Sequence, residues 1–145
     1  MNRRDPDIIV HASAVALRGR GVLVSGASGS GKSALALALL ARGGRLVADD
    51  RTCLARRGER VLAWAPEPIL GLVEARGVGL LRADPAPPTP LFVIVDLDAA
   101  EPDRLPPPRD RDILGIRLPL VLGAANPTLA DSIVQWSKTG CRTVP

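Results

Sequence analysis

Gly26 to Ser33 reads GASGSGKS, and it lies between two apolar runs, GVLVS from Gly21 and ALALALL from Ala34. Gly26, Gly31, Lys32 and Ser33 fit the spacing G-x-x-x-x-G-K-[ST], a loop that cradles phosphate when a strand enters it and a helix leaves it. Both flanks have that character. Glycines let backbone N–H groups turn inward without Cβ clashes, and the first helical turn adds unpaired donors and the positive end of its dipole. Gly26, Ala27, Ser28, Gly29, Ser30, Gly31, Lys32 and Ser33 are therefore read as binding the phosphates of a nucleotide triphosphate. Lys32 would neutralise phosphate oxygens, and the Ser33 hydroxyl would serve as a Mg²⁺ ligand.

A strand–loop–helix unit places the chain in the α/β class. The 145 residues allow one domain with a real core, residues 1–145. The longest uninterrupted apolar run, Ala34 to Ala41, falls well short of the roughly 20 residues of a membrane span. The opening MNRRDPDIIVHAS has no apolar stretch of secretory length. No membrane association is expected, and the reading is cytoplasmic. Cys53 and Cys141 form no CxxC pair and the chain has a single His, so both cysteines are read as free thiols. A pI near 10.0 reflects the absence of Tyr as much as the net charge of +4. The Arg residues are scattered, and Trp64, Phe92 and Trp136 stand far apart, which argues against a nucleic-acid surface.

Around the loop, VHASAVAL (Val10 to Leu17) and GVLVS read as two strands joined by RGRG, and Lys32 to Arg42 as a helix buried on more than one side. Gly43 and Gly44 supply its left-handed stop. RLVADD is a strand ending in two carboxylates, and TCLARRGERVLAWAP two strands about Arg57-Gly58-Glu59. GLVEARGVGLLRA contains a further strand-like segment, and LFVIVDLD has the apolar continuity of a strand buried on both faces. EPDRLPPPRDRD is irregular and precedes ILGIRLPLVL. A final helix, TLADSIVQWSK, has Asn126 or Thr128 as cap.

The residues alone leave the carboxylate open. Asp96 ends an apolar strand of the kind that supports Mg²⁺ in many P-loop proteins, whereas the adjacent pair Asp49 and Asp50 suggests one group for metal water and one for a proton. Asp is equally at home capping a turn. His11, one hairpin upstream of the loop, can share a proton with a nearby carboxylate near neutral pH.

GASGSGKS, then RGGRLVADD, then LVEARGVGLL with its E-x-R-G-x-G pattern, together with HASAV upstream, resemble the catalytic domain of the HPr kinase/phosphorylase family from about Val10 to Leu81. The resemblance implies a single P-loop domain with a central, mainly β sheet and few helices, similar also to the nucleotide domain of phosphoenolpyruvate carboxykinases. It implies an ATP-dependent serine kinase acting on HPr or an HPr-like phosphocarrier. Carried over residue by residue, His11, Lys32 and Asp49 match catalytic positions, Asp49 as proton acceptor; Ser33 and Glu74 match Mg²⁺ positions. Asp50 becomes a supporting partner and Asp96 a strand-end residue. The family's downstream P-V-R-P-G-R-N pattern is not kept, and Arg117 is the nearest match to its active-site arginine. Kinase action with diminished reverse phosphorolysis and self-association are the resulting expectations, with a nucleotide-sensing module as the alternative.

Overall fold

The computed structural model describes residues 5–140; Cys141 lies outside them. The chain forms β1 (Ile8–Val10), β2 (Ala12–Leu17), β3 (Arg20–Ser25), α1 (Lys32–Ala41), β4 (Arg45–Ala48), β5 (Thr52–Arg57) and β6 (Arg60–Trp64). There follow β7 (Leu72–Ala75), β8 (Gly79–Arg82), β9 (Thr89–Asp96), β10 (Asp110–Ile113), β11 (Ile116–Leu122) and α2 (Leu129–Thr139). Nine strands make a mixed sheet in the order β1-β5-β6-β9-β3-β2-β4, with β11 also pairing β9 and β10 pairing β11; β7 and β8 form a separate hairpin. Two α-helices among the described residues agree with a sheet-dominated P-loop domain rather than a helix after every strand.

Both faces of the sheet are covered, as the alternation along β2 records. Ala12, Ala14 and Ala16 pack with Leu23, Val47, Leu54 and Ile94 on one face, while Val15 and Leu17 pack with Leu35, Leu39, Val93 and Ile133 on the other. The second face carries the helices. Helix α1 lies against β2–β4, β7 and α2, which explains a helix apolar on nearly every side. Its end is a left-handed turn: Gly43 has φ +96°, and the N–H groups of Gly43 and Gly44 close on Leu40 and Leu39.

Four expectations need correction. His11 is at a bend between β1 and β2, because the chain there stops pairing with β5 (Val10 opposite Thr52) and starts pairing with β3 (Ala12 opposite Ser25). The segment GLVEARGVGLLRA is a hairpin, folded back at Gly77 (φ +80°), where the Val78 N–H bonds the Ala75 carbonyl. The end of the stretch read as irregular is strand β10, which pairs with β11 across Leu114-Gly115. Helix α1 ends at Ala41, with Arg42 as its C-cap.

Strand direction decides what meets at one end of the sheet. β3 and β4 both run antiparallel to β2, and β9 and β11 run parallel to β3. The start of β2 and the ends of β3, β4, β9 and β11 therefore share one rim. His11, the Gly26–Ser33 loop, the Asp49-Asp50 pair and the Asp96–Asp98 segment all lie along it.

Candidate functional site

The loop has the backbone of a phosphate cradle. Gly26, Gly29 and Gly31 have φ of +149°, +82° and +105°, and a Cβ at Gly26 would come 2.5 Å from Ser30 Oγ. The Ser30 N–H closes a turn on the Ala27 carbonyl. The N–H groups of Gly29, Gly31, Lys32 and Ser33 have no acceptor among the described residues, and Ser30 Oγ is buried without a partner. These unused donors at a helix N-terminus, with Lys32 and Ser33 in its first turn, fit a polyphosphate. Lys32, nearly buried, now donates to the carbonyls of Gly26 (2.9 Å) and Ala27 (3.1 Å).

Asp49 is fixed by three donors from three different elements. Its Oδ1 accepts the hydroxyls of Ser13 (2.7 Å) and Ser33 (2.8 Å), and its Oδ2 accepts the Glu74 N–H (3.0 Å). Ser13, on β2, is wholly buried, and its oxygen also accepts the Asp50 N–H (3.1 Å). Asp50 itself is in the left-handed region, φ +71°. Asp50 Oδ1 lies 2.6 Å from His11 Nε2, and both side chains are more than half exposed. A buried carboxylate bonded to the loop serine thus stands beside an exposed carboxylate–imidazole pair.

Of the residues singled out in the sequence, Lys32, Ser33 and Asp49 converge directly, Glu74 joins them through its backbone, and His11 is adjacent through Asp50. Asp96 does not reach Ser33. It accepts the Asp98 N–H (2.8 Å) and pairs with Arg111 (2.8 Å). Burial opposes its charge, but that N–H and the guanidinium outweigh burial and hold the carboxyl below its ordinary range. Arg117 pairs with Asp110 on the β10–β11 hairpin, and both are exposed. Three residues were missed. Ser13 was detectable as the only polar residue in ASAVAL. Asp98, whose carboxylate accepts the Ala27 N–H (3.0 Å), and Arg111, whose Nη1 is 3.4 Å from Ser25 Oγ, carry no local pattern.

Residues 4–85 match the HPr Serine kinase C-terminal domain family. The chain is 47% identical over 77 residues to the HPr kinase/phosphorylase of Caldanaerobacter subterraneus subsp. tengcongensis, covering 52% of this chain and 25% of that one. It is 37% identical over 111 residues to the HPr kinase/phosphorylase of Limosilactobacillus reuteri, covering 71% and 35%. It thus spans about a quarter to a third of the length of the curated relatives it matches. The solved Hpr(Ser) kinase/phosphatase from Coxiella burnetii superposes with a TM-score of 0.76 at 25% identity, covering 92% of this chain and 96% of that one. The phosphate loop, the paired aspartates and the Glu74 hairpin all fall within the matched residues, and the sheet that assembles them is shared with the solved relative: the chain belongs to the HPr serine kinase C-terminal domain family.

Proposed function

We propose that the chain transfers the γ-phosphoryl group of ATP to a serine hydroxyl of HPr or an HPr-like phosphocarrier. The observation that carries this reading is the 2.8 Å bond between Ser33, the loop's hydroxyl, and Asp49 on the same rim, since a proton-accepting carboxylate has to lie beside the loop that holds the phosphate. Asp49 takes the proton of the attacking hydroxyl. Ser13 and the Glu74 N–H orient it, and the exposed Asp50–His11 pair stands beside it. Lys32 exchanges the loop carbonyls for phosphate oxygens. Ser33 and Glu74 would hold Mg²⁺, which supplies charge neutralisation on the phosphate oxygens when bound. No His, Cys, Asp or Glu trio among the described residues forms a metal cage, and a Mg²⁺ shared with a phosphate needs only one or two protein ligands.

Incubation with γ-labelled ATP, Mg²⁺ and an HPr-like carrier tests the reading, with label on a carrier serine as the expected result. Tight nucleotide binding without transfer would instead identify a sensing module. Self-association belongs to the same proposal. It is supported by the exposed apolar side chains of Val78, Leu80 and Leu81 on the β7–β8 hairpin. Light scattering at micromolar concentration measures it.

A further inference from the structure

Along the rim the order is β4, β2, β3, β9, β11, and the loop rises from β3. The chemistry of Asp49, Ser13 and His11 lies on the β2–β4 side. On the opposite side, beyond β9, is a groove of about 1050 Å³ between β11, α2 and the connector that follows β9. Ala100, Leu122, Asn126, Pro127, Gln135 and Trp136 line it. We infer that this groove receives the base and ribose of the nucleotide whose phosphates rest on the Gly26–Ser33 loop, an inference that rests on the phosphate-binding reading above.

Three observations converge. The groove runs along α2 from the carboxyl ends of the parallel strands, where open α/β sheets bind ligands, and at that rim β11 is two strand intervals, about 10 Å, from β3. That separation is one that a phosphate–ribose tail can cross. The groove is physically joined to the loop: the Asp98 carboxylate accepts the Ala27 N–H, and the Ala99 carbonyl accepts the Ala124 N–H. Its chemistry also suits an uncharged ring. Two of its three wall carboxylates are neutralised, Glu101 by Arg109 (2.7 and 2.9 Å) and Asp131 by Arg42 (2.6 Å), while Asp103 and Arg104 are exposed on the connector. The Trp136 ring, packed edge-on to Phe92 with centroids 5.5 Å apart, and Pro127 give apolar surface. Asn126 spends its Oδ1 on Thr128, which leaves its amide donors at the wall. A nucleotide laid across the rim in this direction points its terminal phosphate at Asp49.

The test compares MgATP with magnesium tripolyphosphate, which has the phosphates and lacks the base, in wild type and in Gln135→Trp, an exposed helix position whose bulk enters the groove. The expected result is that wild type binds ATP at least tenfold more tightly than tripolyphosphate, and that Gln135→Trp erases most of this advantage while tripolyphosphate binding stays. Equal affinities in wild type, or an advantage that survives Gln135→Trp, overturn the inference while leaving the phosphate reading intact. Failure of wild type to bind tripolyphosphate at all would instead defeat the phosphate reading. Photolabelling of wild type with 8-azido-ATP gives an answer independent of any variant: label within residues 120–139 supports the groove, and label confined elsewhere overturns it.

Discussion

Ser13 is a hydroxyl sealed inside an apolar strand, and its two bonds set the positions of both aspartates. Ser13→Ala leaves the Asp50 N–H unpaired and Asp49 short of one donor. The expected cost is about 1–3 kcal/mol in urea unfolding, the usual penalty for an unmet buried polar group. Phosphoryl transfer should fall while nucleotide affinity stays near wild type, since the loop itself is untouched. Asp96 makes a pH-dependent contribution. Its folded carboxyl titrates below its ordinary value of 3.8, so the stabilisation is present above that pH and is lost as pH falls through the folded value. Asp96→Asn should therefore be less stable than wild type at pH 7, and the gap should close below about pH 4. Thermal unfolding across that range measures it. Burial pushes the Cys53 thiol up, so its alkylation at pH 8, read by peptide mass spectrometry, should be slow until denaturant is added.

At the scale of elements, the β7–β8 hairpin packs against α1 and reaches the site through the Glu74 N–H, which bonds Asp49, while the Glu74 side chain is exposed. Glu74→Gln keeps that bond and an oxygen ligand but removes a charge. The Mg²⁺ concentration for half-maximal transfer should rise several-fold with little change in stability. The loop element is less forgiving. At Gly26 a methyl group would meet Ser30 Oγ at 2.5 Å with φ at +149°, so Gly26→Ala should weaken ATP binding by more than tenfold in calorimetry.

For the molecule as a whole, legibility followed locality. The strand–loop–helix unit, the Gly43 stop and the β5–β6 hairpin were readable because their signals are adjacent in sequence. Which of Asp49 and Asp96 stands at Ser33 was not, since both end apolar strands; it depends on β2 lying between β3 and β4, a non-local pairing that brings the end of β4 to Ser33. Arg111 and Asp98 escaped for the same reason: their partners are 15 and 71 residues away. The groove beside β11 has no sequence signature, because three separated segments build it. The family pattern supplied Asp49 where residue chemistry left Asp96 and the Asp49-Asp50 pair open. The central claim, that Asp49 accepts the proton from a serine hydroxyl beside the loop, is tested most directly by single-turnover transfer from γ-labelled ATP to an HPr-like carrier with Asp49→Asn and Asp96→Asn, each folded at pH 7. The account predicts a loss of about 10²–10⁴-fold for Asp49→Asn with ATP still bound, and a near-normal rate for Asp96→Asn. Near-normal transfer by Asp49→Asn with transfer abolished in Asp96→Asn would contradict it.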